Sequence, residues 1–215
     1  MMDLTVIGDG WRLMGPGLVM TLMVSVCVMI LGLFVGLLGG LTLLYGPRVL
    51  GLVVRGYVDF VRGTPLLVLI FLIFYGIPAV GIPVPNFVAA VISLGAFAGA
   101  HISEIVRGGI SSIPKGQTDA SMALGMTFWP RLSRVVLPQA VARILPPLVN
   151  TTVEVVKGSS LVSLVSIVEL TLATEQVVQR VQRPVPLYIA AALMYFVVNF
   201  IVSSSGRRLE RRFAF

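Results

Sequence analysis

Glu104 and Glu154 are acidic residues set inside long apolar stretches, each with a basic or imidazole neighbour three positions away. His101, Glu104 and Arg107 recur every third residue, which places them on one face of a helix, and Glu154 and Lys157 repeat that spacing. A charge held at the middle of a bilayer costs at least about 2.5–3.5 kcal/mol on insertion scales, so such groups face protein or water. We therefore read His101, Glu104, Glu154 and Lys157 as candidates for the wall of a polar route, with the acids suited to meet an amino or guanidinium group. The competing account is structural. Glu104 is then neutralised by Arg107 or His101, and a Glu154–Lys157 salt bridge holds a broken helix.

The same residues argue against catalysis. One histidine and one cysteine, Cys27, leave no HExxH pair, no zinc cluster and no nucleophile with a histidine base. Lys157-Gly158-Ser159 reverses the order of a phosphate-binding loop and lacks its upstream glycine, so ATP hydrolysis is not expected of this chain, nor any metal or cofactor. A net charge of +7 would suit nucleic acid, but the basic residues are scattered between apolar blocks rather than gathered on a polar face. No nucleic-acid partner is expected.

What must position these residues is a set of membrane helices. Hydrophobic residues make up 57% of the 215 against 12% charged, and the mean hydropathy of +0.99 lies outside the soluble range. The sequence predicts an all-α membrane protein with five transmembrane helices, at about 18–45, 63–81, 87–106, 137–166 and 186–205, forming one domain over 1–215. The first span carries Gly32, Gly36, Gly39 and Gly40, a spacing that lets helices approach closely. Arg62-Gly63-Thr64-Pro65 reads as the architectural start of span two, with Arg62 at the headgroup boundary. The fourth span contains Arg143, Pro146-Pro147, Glu154, Lys157 and Gly158, so its inner part is expected to be bent or broken and lined by protein. The segments 107–136 and 169–183 read as polar connections.

Arg48, Arg55, Arg62, Arg107, Lys115, Arg131, Arg134, Arg143 and the four C-terminal arginines fall on one side of a five-span chain. Arg12, Arg180 and Arg183 fall on the other. The positive-inside rule then puts the C-terminus in the cytoplasm and the N-terminus outside. Asp3 and Asp9, with no basic n-region, give no expectation of a cleaved signal. Trp11, Trp129 and Tyr188 suit the two membrane interfaces.

The 107–136 connection contains Thr118-Asp119-Ala120-Ser121-Met122-Ala123-Leu124-Gly125, followed by Val135-Val136-Leu137-Pro138. Small residues let a short helix sink into a partner's groove, and Gly125 permits a sharp turn between two helical pieces. This run resembles the EAA loop of ABC importer permeases, with Asp119, Ala120, Ser121, Gly125, Leu137 and Pro138 in the family's places. Phe60 to Leu67, Glu104 to Ile110, Ile113 to Gln117, Leu145 to Asn150 and Lys157 to Ser163 look like the polar amino acid subfamily, collinear over about residues 15–212.

The resemblance implies a type I importer permease in the bacterial cytoplasmic membrane. It implies pairing with a second permease subunit, identical or not, with ATP-binding subunits seated on the loop and an external solute-binding protein delivering substrate. The cargo implied is a polar or charged amino acid or a related compound such as an opine. Asp119-Ala120-Ser121 departs mildly from the family's acidic-Ala-Ala start. His101 stands for the usual tyrosine, and Lys157-Gly158-Ser159-Ser160 for the usual Lys-Asp-Thr-Ser, both near the expected route. An ion- or proton-coupled carrier using Glu104 and Glu154 as a relay is the alternative, but it leaves the Asp119 loop without a role.

Overall fold

The glycines of the first apolar run decide how it packs. Helix α1 (Leu4–Tyr45) lies along α4 (Asn86–Ser111) with Gly32, Gly36 and Gly40 against Ala98, Ile102 and Val106. A methyl group on Gly36 would sit 2.4 Å from Ile102, and one on Gly40 2.7 Å from Val106, so neither position has room for a side chain. Both helices repeat every four residues at this contact, which stacks one continuous ridge against one continuous trough. Val24, Val28, Leu94 and Ala98 extend it into the main core.

The structure, a computed structural model, describes residues 4–213, with side chains from Gly10 onward. Asp3 and the side chain of Asp9 fall outside that description. The described chain is helical, with four helical stretches long and apolar enough to cross a membrane: Gly10–Tyr45, Asn86–Ser111, Phe128–Val165 and Pro184–Phe213. A bent pair makes a fifth crossing if its halves count as one.

That pair replaces the straight second span expected at 63–81. Helix α2 (Arg48–Gly63) and helix α3 (Leu66–Ala79) meet at 113°. Pro65 forces the residue before it out of helical geometry, and Thr64 is extended at φ −105°, ψ 135°. With 14 residues α3 is only about 21 Å long, short of a ~30 Å hydrocarbon layer. A crossing here therefore needs both halves. Val58 and Val61 of α2 pack with Leu69 of α3 and Ala100 of α4, which fixes the elbow between the halves to the middle of α4.

The fourth span is broken, as expected, and the structure shows at which of its interrupting residues. Helix α7 (Leu137–Gly158) continues through Pro146 and Pro147, and the break comes later, at Gly158. Thr151 and Thr152 donate hydroxyl hydrogen bonds to the carbonyls of Pro147 and Leu148, tightening the turn that follows the prolines. After Gly158 the chain forms a 3-10 turn (Ser159–Val165) and reverses at Ser166, whose φ of 63° is left-handed.

Neither polar connection is a plain loop. Helix α4 runs to Ser111, and residues 107–136 otherwise fold as α5 (Lys115–Ala123), α6 (Phe128–Arg131) and a π-helical turn (Leu132–Val136). The segment 169–183 forms α8 (Leu170–Val181), and α9 (Pro184–Phe213) carries the last span past 205 into the C-terminal arginines.

Candidate functional site

Helix α4 presents Glu104 one turn before Arg107, and the two side chains close on each other. Arg107 donates from Nε to both carboxylate oxygens at 3.1 Å and from Nη2 to Oε2 at 2.7 Å. Arg55 of α2 approaches the other oxygen at 3.9 Å. Glu104 is thus neutralised within the chain, as the structural account foresaw for Arg107. His101 takes no part in this: its Nδ1 lies 3.0 Å from the Phe97 carbonyl and its ring 4.3 Å from the Phe97 ring. A carbonyl only accepts, so Nδ1 donates the hydrogen there, and Nε2 makes no hydrogen bond among the described residues.

His101 and Glu104 open onto a cleft of about 460 Å³. One wall is α4, through Ile105, Gly108, Gly109 and Ser112; the other is α7, through Arg143 and Pro147; and Arg62 closes it from the end of α2. A methyl group on Gly109 would collide with the Ile144 side chain, so the α4 backbone packs directly against that side chain of α7 at the cleft's edge. The Arg143 guanidinium donates to the Ser112 carbonyl and ties α7 to the end of α4. Pro147 has no N–H, so the Arg143 carbonyl lacks its regular helical donor beside the cleft. With Arg62 and Arg143 lining it and Glu104 already held by Arg107, the cleft is cationic in balance.

Glu154 and Lys157 lie elsewhere. Both are exposed on the far part of α7, neither lines this cleft, and they form no ion pair among the described residues. The structure therefore divides the four sequence-derived candidates between two places.

The connection between the walls is the Asp119 segment. Asp119 and Ala120 are exposed on α5, while Ser121 is buried and donates to the Thr118 carbonyl at 2.7 Å. Gly125 turns the chain at φ +75°, a left-handed conformation costly for other residues, with open space around it. The Met126 N–H closes the turn on the Ser121 carbonyl at 3.1 Å. Met122 and Leu124, the latter 82% exposed, leave an apolar tip that none of the described residues covers. Past α6 the helix widens into the π turn: Leu137 donates to Leu132, five residues back, and Pro138 next to it can donate to nothing. Gln139 reaches back to Gln117 at 3.4 Å.

This arrangement of a small-residue elbow between two cleft walls coincides with a family match. Residues 29–215 fit the family described as the binding-protein-dependent transport system inner membrane component. The chain belongs to that family. The chain is 36% identical over 203 residues to the L-cystine transport system permease protein TcyB of Bacillus subtilis, covering 94% of this chain and 87% of that one. It is 34% identical over 212 residues to the glutamine transport system permease protein GlnP of Escherichia coli, covering 98% and 97%. Its backbone matches a crystal structure of an amino acid ABC transporter with histidines at a TM-score of 0.91 and 33% identity, covering 98% of each chain. An inward-facing structure of the MetNI methionine ABC transporter, at TM-score 0.73 and 21% identity, shares the fold, covering 98% and 97%.

The functional placement of two residues of this chain escaped the sequence reading. Arg62 lines the cleft, because the helix preceding Pro65 ends beside α4. The Gly63-Thr64-Pro65 break was the signal, since it ends one helix as well as starting another. Glu169 is fully buried between α1, α8 and α9, although it opens a segment that reads as polar. Tyr195 donates to it at 2.6 Å, the Leu172 N–H at 3.0 Å and Thr21 at 3.4 Å. Thr21 in turn accepts from the Leu170 N–H at 3.2 Å. Nothing local in the sequence announces a partner 148 positions away.

Proposed function

We propose that this chain carries a polar or charged amino acid, or a related compound, across the bacterial cytoplasmic membrane by alternating access, with ATP hydrolysed by separate subunits. One observation carries this reading. The elbow from α5 through Gly125 to α6 joins α4 to α7, the same two helices that wall the cleft. A force applied to the elbow acts on both walls over a short, helical path, and the Gln117–Gln139 and Ser112–Arg143 hydrogen bonds stiffen that path.

In this reading the ATPase seats on the Asp119–Leu124 segment, where Asp119, Ala120, Met122 and Leu124 are exposed to fit a groove on a partner and the buried Ser121 holds the turn beneath them. Leu137 and Pro138 root the far side of the elbow in α7. The cleft supplies complementary chemistry for a zwitterion. Arg62 faces a carboxylate, while Glu104, the His101 Nε2 and the Arg143 carbonyl accept from an ammonium group. Glu154 and Lys157, exposed on one flank of α7, serve the route where a second permease subunit, identical or sister, completes it. A solute-binding protein delivers the substrate from outside. The distribution of basic residues supports a cytoplasmic elbow and C-terminus and an external N-terminus.

Crosslinking tests the seating. In a Cys27→Ser background, Leu124→Cys should capture an ATP-binding subunit in native vesicles, and adding ATP should alter the yield. Failure to capture one from any position between Asp119 and Leu124 would overturn the proposal.

A further inference from the structure

A second cavity, of about 620 Å³, lies outside the cleft, between the end of α1, the start of α2 and the α6 side of the elbow. Its floor is aliphatic, made by Leu38, Leu41, Leu50 and Leu132, and its rim is aromatic, made by Tyr45 and Trp129. Tyr45 meets Phe128 edge-to-face at 5.1 Å, and Phe128 meets Trp129 the same way at 5.3 Å, so the rim is a rigid cluster. The Trp129 ring remains 73% exposed. Arg131 stands over the Phe128 ring, its guanidinium carbon 5.9 Å from the centroid, with no carboxylate within 4 Å among the described residues. An apolar trough leading to an aromatic rim and an uncompensated cation matches the three zones of one lipid: acyl chain, glycerol level and anionic headgroup.

We propose that this groove binds an anionic phospholipid, one acyl chain against Leu38, Leu41 and Leu50 and the phosphate on Arg131. Its size falls in the ~300–1,000 Å³ range of ligand pockets. Because Leu41 belongs to α1, Leu50 to α2 and Leu132 to the elbow, the lipid touches all three at once. Its presence therefore braces the base of the coupling segment.

Quenching of Trp129 by brominated lipid tests this. The full chain with Trp11→Phe, so that Trp129 is the reporter, is placed in bilayers containing phosphatidylglycerol or phosphatidylcholine brominated on the acyl chains at equal mole fraction. Phosphatidylglycerol should quench with an apparent affinity about fivefold above that of phosphatidylcholine, the preference expected of one arginine near the surface. Arg131→Gln should bring the ratio to about one, and Arg131→Lys should keep most of it. Raising ionic strength, which needs no variant, should lower it as well. Equal quenching by the two lipids, absence of quenching by either, or a preference that survives both Arg131→Gln and high salt would overturn the proposal.

Discussion

Arg107 holds both oxygens of the Glu104 carboxylate, at 2.7 Å and 3.1 Å, in a cleft whose other charged lining residues are Arg62 and Arg143. The pair neutralises itself, yet its acid still presents lone pairs to the cleft, since a carboxylate has about four acceptor sites. These two roles make different predictions. Glu104→Gln should lower uptake at least tenfold while the protein still inserts and binds its ATPase. If the pair were only structural, removing both charges in Glu104→Gln/Arg107→Gln would restore uptake. We expect the double variant to stay inactive in a vesicle uptake assay.

Arg62 offers a matched test on the other end of the substrate. Arg62→Gln should raise the KM for uptake more than it lowers the maximal rate, because it removes binding charge and leaves the elbow intact. Arg62→Lys should recover part of the affinity, as a point charge replaces a fork. A loss of rate alone, at unchanged KM, would return Arg62 to an architectural role.

The turn at Gly125 separates conformation from volume. Its φ is +75° and no atom lies within 4 Å of an added methyl group, so a side chain there meets backbone strain rather than a clash. Asn tolerates the left-handed region and β-branched residues do not. Gly125→Asn should therefore keep ATP hydrolysis coupled to uptake. Gly125→Val should leave insertion intact and uncouple the two, measured as ATP consumed per solute moved.

The fold was legible where one residue type forces one outcome. Gly32, Gly36 and Gly40 announced a close helix contact, and the contact is there. Glu104 with Arg107 announced a pair on one face, and the pair is there. The sequence could not rank the candidate breaks from Arg143 to Gly158: α7 passes through Pro146-Pro147, with neighbouring threonines bonded across the turn, and ends at Gly158. Nor could it join Thr21, Glu169 and Tyr195, which three different helices bring together.

That buried group should govern stability rather than transport. Tyr195→Phe removes one donor from a carboxylate with no access to water, a cost of about 1–3 kcal/mol. Glu169→Ala also deletes the acceptor that caps α8 at the Leu172 N–H, worth about 1 kcal/mol more. Both variants should unfold at lower temperature in detergent, with Glu169→Ala the lower, while the membrane-inserted fraction retains uptake.

The central claim, that the elbow delivers work from ATP to the cleft, is tested most directly in proteoliposomes containing the chain, its ATP-binding subunit and its binding protein. Uptake of the bound amino acid is measured with ion and proton gradients collapsed by ionophores. The account predicts accumulation that requires ATP inside and disappears in Gly125→Val. Accumulation driven by a gradient without ATP would contradict it.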